Sequence, residues 1–420
     1  MAMNAPSFYV GPGYPPVRIN QWADLVAAAE SGTFAETQWV ELKAAIPAST
    51  SAANLEVARD LASLSVDGGL LVVGVKDPGT KAEHVVGTTD DLEGLKSRLG
   101  QIAGSTRIQP PLHACFVPPI VNPADSTRAV LLVMIPASAS APHMVDEKYW
   151  GRGATGKRPL SDVEVDRLMT DRRRRRDDFV KKLRSMQQVC PLPDPVARQN
   201  GQLYVMAEPA VGLAGPSLTE TVTDQHPRQL VTDALSFSPK WRPSFESLIY
   251  MVNHPDGLAL ASWMLSVETP EEKNMLYLLL SDGGSVRVAS GRGTCPYGRD
   301  GEQIGIASNH IMEIVHQTLS LAAHVGRSYL HYAGMWNVGV HLSGIAGRPP
   351  LHAFYNGHGD FRPSPFQTPD YTRTSSASTE DLTDRTSSIV ELLLGDLARG
   401  LGLRNYLFPY TDPTEIANKL

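Results

Sequence analysis

The sequence predicts an α+β protein of two domains, and three observations predict it. Short apolar runs of strand length, at 70–75 (LLVVGV) and 128–136 (RAVLLVMIP), alternate with segments whose apolar residues recur at helical spacing. A proline-rich stretch, Cys190-Pro191-Leu192-Pro193-Asp194-Pro195, cannot continue a helix and separates two such sets. A chain of 420 residues has the length for two or three ordinary domains.

The elements follow in order. Asn20 to Gly32 reads as a short helix, with Trp22, Leu25 and Val26 apolar and a glycine past its end. The segment 37–46 (TQWVELKAAI) alternates as a strand does. Leu55 to Ser65 has helical spacing through Leu55, Ala58, Leu61 and Leu64, and stops at Asp67-Gly68-Gly69. The run 70–75 is a strand buried on both faces, and 128–136 is a second. Residues 148–160 read as a strand and turn. Ser161 and Glu164 form a capping box, so a helix starts there and runs to about Gln187. Past the prolines, Leu258 to Ser290 reads as a β-meander turning at Asp282-Gly283-Gly284. Asn309 to Gly326 reads as an amphipathic helix, Arg348 to Asp381 as a long loop or lid, and 387–403 as a closing helix. There is no internal repeat. Residues 1–33 form a helical lead-in, 34–170 a first domain, 171–195 a basic helix and linker, and 196–420 a second α+β domain of sensory or regulatory character.

Composition narrows the function classes. Hydrophobic residues make up 42% and charged residues 20%, as in ordinary soluble proteins. A net charge of −6 gives no global affinity for nucleic acid, so a basic surface must be local. No basic start leads into an apolar core, and no apolar run reaches the ~18 residues of a membrane span. Three scattered cysteines make neither a disulfide framework nor a metal knuckle. The expected setting is a reducing cytoplasm without membrane contact.

The first chemical signal is Glu36-Thr-Gln-Trp-Val-Glu41-Leu-Lys43. Crowded carboxylates repel, and a divalent cation with its preference for oxygen ligands relieves them. Glu41 and Lys43 are two apart, so on a strand both point to one face. That is a metal-dependent nuclease half-site: carboxylate for Mg²⁺ or Mn²⁺, lysine for water or phosphate. Asp77, at the end of the buried strand, supplies a third carboxylate. Glu36 is five residues from Glu41 and must reach the same face from the preceding turn or through a bulge. The bland alternative is a solvated strand face.

The second signal is Gly151-Arg-Gly-Ala-Thr-Gly-Lys-Arg158. It nearly reads as a phosphate-binding loop, but Arg158 stands where a hydroxyl residue is needed and Pro159 follows, which rejects a Walker-type ATPase. A basic turn touching phosphates stays open beside a plain hairpin. The third is the run Arg172, Arg173, Arg174, Arg175 and Arg176. From Lys148 to Lys182 there are twelve basic and six acidic residues, a local net of +6 in an acidic chain. Five consecutive arginines point all around a helix, so some form a basic surface suited to a phosphate backbone. The twelve histidines contain no HExxH pair.

In that order these residues resemble the AlbA_2 domain of Schlafen-like proteins, also called the divergent AAA-4 domain. The series comprises Glu36 with Glu41-Leu42-Lys43, a helix, and Gly68-Gly69-Leu70-Leu71-Val72-Val73-Gly74-Val75-Lys76-Asp77. It continues with Val86-Gly87, the strand Val130 to Ile135, Tyr149-Trp150-Gly151-Arg152, Arg158-Pro159 and the helix from Ser161. It covers about a third of the chain. The chain departs from the family at Ser65-Val66, where Asn-Thr is usual, and at Ala154, where glycine is usual.

The resemblance implies a metal-dependent endoribonuclease acting on tRNA or rRNA, plausible as a defence or stress effector. Glu36, Glu41 and Asp77 would hold Mg²⁺ or Mn²⁺ and Lys43 would neutralise the scissile phosphate. Arg152, Lys157, Arg158 and the arginine run would grip the RNA backbone, and DNA is a possible ligand. Family nucleases pair two lobes, so a homodimer is expected to supply the second. The alternatives are a non-catalytic nucleic-acid-binding regulator and, ranked last, an ATP-binding module.

Overall fold

An alternating strand, 40–43, beside a continuous apolar one, 69–73, builds the centre of the amino-terminal part. The computed structural model describes residues 7–8, 10, 17–154, 156–192, 198–211, 218, 222, 227–235, 244–265, 270–297, 303–330, 332, 334–351 and 364–403. The chain divides into two units. One holds residues 1–175 with 210–215 and 331–335, and the other holds the remainder. Both mix helices and sheet, so the fold is α+β as the sequence predicts.

In the first unit a short antiparallel pair, β1 (Ser7–Phe8) and β2 (Val17–Arg18), leads into α1 (Trp22–Glu30). The main sheet begins with β3 (Val40–Lys43), followed by α2 (Ser51–Leu64) and β4 (Gly69–Val73). Helix α3 (Leu92–Gly104), strands β5 (Cys115–Phe116), β6 (Ile120–Asn122) and the long β7 (Asp125–Ile135) complete it. The strand order is β3-β4-β7-β5, with β3 parallel to β4 and β7 antiparallel to it. A three-stranded sheet of β8 (Met144–Val145), β9 (Lys148–Gly153) and β10 (Gly156–Pro159) precedes α4 (Asp162–Val189).

The two faces of the main sheet carry separate cores. Val40, Leu42, Leu70 and Val72 pack with Leu25, Ala29 and Phe34 on one side. Leu71 and Val73 pack with Val57, Leu61, Leu95 and Leu99, from α2 and α3, on the other. Strand β4 is therefore buried on both faces, as its continuous apolar run predicts. Glu41 and Lys43 register with Leu71 and Val73, which puts both on the face covered by α2.

The structure shortens and shifts some expected elements. The strand expected over 37–46 is regular only at Val40–Lys43. Helix α2 begins at Ser51, because Thr50 caps it by accepting from Ala53 N–H. Helix α3 was not anticipated, although Leu92, Leu95, Leu99 and Ile102 carry its spacing.

The second unit is built on one sheet of seven strands. They are β11 (Gln202–Pro209), β12 (Tyr250–His254), β13 (Gly257–Ala261), β14 (Leu276–Ser281), β15 (Val286–Ser290), β18 (Met335–Ser343) and β19 (Asp370–Ser378), ordered β12-β13-β14-β15-β11-β18-β19. The meander expected from Leu258 to Ser290 is the run β13-β14-β15, with Gly284 in the turn at φ +84°. A small hairpin joins β16 (Thr294–Tyr297) to β17 (Gln303–Ile306). Helices α5 (Pro227–Leu235), α6 (Ser308–Ser328), α7 (Thr379–Asp384) and α8 (Thr386–Gly400) complete it.

Three expectations here are corrected. Helix α6 is buried nearly all round rather than amphipathic, because it packs on β11 and β15 and also against α5, α7 and α8. Asp370–Ser378, within the expected loop, is strand β19; residues 352–363 of that loop lie outside the described residues. The division between the units falls inside α4, at Arg175/Arg176, and not at the prolines. Phe179, Leu183 and Met186 bury in the second unit's core beside Tyr204, Met206 and Tyr277, so the carboxyl half of α4 belongs to that unit. Pro193–Pro195 lie outside the described residues.

Candidate functional site

Strand β3 is at an edge of its sheet, so its outward backbone groups need partners. The turn before it provides them. Val40 C=O accepts from Thr37 N–H at 3.1 Å, and Leu42 N–H donates to the Glu36 carboxylate at 3.3 Å. Glu36 thus lies ahead of the strand, in the preceding turn, the first of the two routes that its five-residue spacing from Glu41 allows. The guanidinium of Arg152, from β9, closes the same edge. Its Nη2 donates to Thr37 O at 3.0 Å and to Val40 O at 3.3 Å, and its Nη1 to Glu41 Oε2 at 2.6 Å.

Glu41 begins a chain of alternating charges. Its Oε1 pairs with Lys43 Nζ, which is 3.6 Å from Asp60 Oδ2 on α2. Asp60 Oδ1 pairs with Lys157, from β10, and Lys157 also pairs with Glu56 at 2.6 Å. Glu56 pairs with Arg59 at 3.2 Å, and Arg59 pairs with Asp146 at 3.0 Å while lying 5.0 Å over the Trp150 ring. Arg152 and Asp60 side chains are 1% and 2% exposed and Lys43 is 28% exposed. The floor is buried, and the lysine reaches the surface.

These neighbours set the ionisation. Burial alone would raise the Glu41 carboxyl, but the hydrogen bond from Lys43 and the charge of Arg152 outweigh it and hold the group below its ordinary range. Burial would pull the Lys43 ammonium down, yet the charges of Asp60 and Glu41 hold it above its usual value. Burial and the charge of Glu41 push Asp60 up, against Lys43 and Lys157. Glu36 is raised by burial and then by Glu41, with a smaller contribution from Asp77.

The structure therefore gathers Glu36, Glu41 and Lys43, and sets Asp77 near them in an exposed turn beyond β4. Gly79 makes this possible. At φ +67°, it lies so close to Phe34 O and Leu42 Cδ1 that a Cβ would be 2.5 Å from each. Asp60 and Glu56 escaped the sequence reading. Their signal is a carboxylate on the apolar stripe Val57-Leu61-Leu64, one helical turn from another.

The basic residues separate into two groups. Arg152 and Lys157 are committed to ion pairs inside the unit. Arg158 is tied to Glu164 at 2.9 Å, which raises its pKa, and Glu164 accepts from Ser161 N–H in the expected cap. Arg172, Arg173 and Arg174 are exposed, with Arg172 donating to Ser140 O at 3.2 Å. Arg175 is half-buried, and the side chain of Arg176 lies outside the described residues.

Mg²⁺ or Mn²⁺ does not fit the carboxylate set in this arrangement. Both oxygens of Glu41 are taken by cations, and Lys43, Arg152 and Lys157 crowd the place where an ion would sit. Among the described residues no group of three or more His, Cys, Asp or Glu is disposed to hold a metal ion. Among the same residues, no helix is long and apolar enough to cross a membrane.

No known protein family and no curated protein matches the chain. A solved structure, the DIP2311 protein from Corynebacterium diphtheriae, aligns with 91% of this chain at 15% identity and a TM-score of 0.23. This chain spans 61% of that one's length. A superposition that loose says nothing about shared fold or function.

Proposed function

We propose that the first unit is a Schlafen-like module that binds nucleic acid, RNA first, through its phosphate backbone in the cytoplasm, and acts as a regulator rather than a cutter. The observation that carries this reading is the fate of the charges. The carboxylate that would bind metal is neutralised by internal cations, whereas Arg172, Arg173 and Arg174 stand exposed on α4. Arginines on a helix surface suit phosphate contacts, which position a protein on nucleic acid without reading sequence.

A second reading, a metal-dependent endoribonuclease, is favoured by one observation. Glu36 is pushed up by burial and then by Glu41, with a smaller part from Asp77, and a cation would relieve the crowding. One experiment separates the two. Total tRNA and a DNA duplex are incubated with wild type, Glu41→Ala and Glu36→Gln, in EDTA and in Mn²⁺. Retarded, intact RNA in every lane is the expected result. RNA fragments that need Mn²⁺ and disappear in both variants would replace the binding reading with the nuclease. RNA that runs free in all lanes would remove both.

A further inference from the structure

The geometry points to a protein-supplied cation in the carboxylate site: the Lys43 ammonium, held by the buried Asp60, fills with Arg152 the place that a divalent ion would take at Glu41. Three observations carry this inference, and none depends on the arginines of α4.

The first is occupancy. Glu41 has two carboxylate oxygens, and Lys43 takes one while Arg152 takes the other at 2.6 Å. An ion at Glu41 would have to displace a guanidinium that also holds Thr37 O and Val40 O. The second is charge balance. The chain Arg152–Glu41–Lys43–Asp60–Lys157–Glu56–Arg59–Asp146 alternates cation and anion to its end, so its members neutralise one another. A further double positive charge at Glu41 finds its oxygens and those of Asp60 already paired with cations and is disfavoured there. The third is position. Lys43 lies between Glu41 and Asp60, 3.6 Å from the latter, and Glu36 also acts on its charge. Removing the ammonium would free one oxygen of Glu41 and one of Asp60, hard oxygen donors of the kind that Mg²⁺ or Mn²⁺ prefers.

The site is thus a latent metal site closed by a lysine. The test is a Mn²⁺ titration of the full chain followed by electron paramagnetic resonance and by thermal melting, so that no activity is needed. Wild type is expected to show no saturable Mn²⁺ uptake and the same Tm in Mn²⁺ as in EDTA. Lys43→Met is expected to take up one ion per chain, at least tenfold more tightly than wild type, with a Tm that Mn²⁺ now raises. If Lys43→Met does not fold, Lys43→Gln, which keeps a polar head without the charge, carries the same expectation. One ion per chain in wild type, lost in Glu41→Gln, would overturn the inference, and so would no uptake in any folded Lys43 variant. Loss of RNA retention would strike the binding proposal alone and leave this result standing.

Discussion

The guanidinium of Arg152 lies 2.6 Å from the carboxylate of Glu41, and the two side chains are 1% and 7% exposed. A pair so buried is costly to break from one side, because the surviving charge keeps its desolvation penalty without a partner. Arg152→Met is therefore expected to destabilise the first unit by about 3–5 kcal/mol. Glu41→Gln should cost a comparable amount, and the double variant should cost much less than the two together. Urea unfolding of the three variants measures the coupling. Additive losses would mean that the pair does not act as a unit.

Glu36 has the opposite character. Its carboxyl is raised by burial and by the charges of Glu41 and Asp77, so the ionised form is the disfavoured one in the folded state. For such a group stability falls as pH rises through the folded pKa, and nothing is lost below the unfolded one. Glu36→Gln keeps an oxygen for Leu42 N–H and removes the repulsion. It is expected to stabilise at neutral pH by about 0.5 kcal/mol, solvent screening included, and to change nothing in strong acid. Melting curves at both pH values decide it; a loss at neutral pH would mean that the charge itself is needed.

What the sequence could and could not say about this site follows from the range of the interactions. The shared face of Glu41 and Lys43, the place of Glu36 in a turn, the double-sided burial of β4 and the cap of α4 at Ser161 and Glu164 are local, and periodicity or spacing reveals them. The partners were not legible. Arg152 and Lys157 read as free cations because their counter-ions, Glu41 and Asp60, are far along the chain and meet them only when the β9–β10 hairpin packs near α2. Asp60 was not singled out, although it sits buried on the apolar stripe. In the second unit the same limit hid the surroundings of α6, whose Glu313, His316, Gln317 and Ser320 are buried. The division inside α4 was hidden because helical continuity carries no mark of which core each half enters.

Gly79 places the Asp77 turn against the segment that carries Glu36. Its backbone is left-handed at φ +67°, and an added Cβ would meet the Phe34 carbonyl oxygen, a backbone atom that cannot swing away. Gly79→Ala is expected to cost about 2 kcal/mol from the left-handed conformation and the clash together. It should also shift the titration of Glu36 toward its ordinary value as Asp77 moves off, which carboxyl-selective NMR would report. An unchanged Glu36 titration in a destabilised variant would detach Asp77 from the site.

His143 makes the first unit sensitive to acid. Its Nδ1 donates to Pro110 O at 2.6 Å, and in the neutral ring Nε2 accepts from Ser138 Oγ at 2.7 Å. Burial pushes its pKa down to about 4. A base whose folded pKa is lowered stabilises above its unfolded pKa of about 6.5 and loses that contribution as pH falls toward the folded value. Up to about 3 kcal/mol is expected to disappear across that window. His143→Gln should weaken the protein at neutral pH and flatten its acid limb; parallel Tm–pH curves for variant and wild type would exclude the role.

The exposed arginines give the binding proposal its quantitative form. A phosphate contact releases counter-ions, so each one adds about 0.9 to the slope of log affinity against log salt on duplex DNA and about 0.7 on single strands. Arg173 and Arg174 are exposed, and among the described residues no salt bridge engages either. Arg173→Gln with Arg174→Gln is expected to lower the magnitude of the slope by about 1.5 on RNA, to weaken binding alike for unrelated sequences, and to leave Tm unchanged. Arg152 and Lys157, held by Glu41 and Asp60, contribute no such term; their loss should be read in stability. A double variant that binds with the wild-type slope would move the RNA surface away from α4.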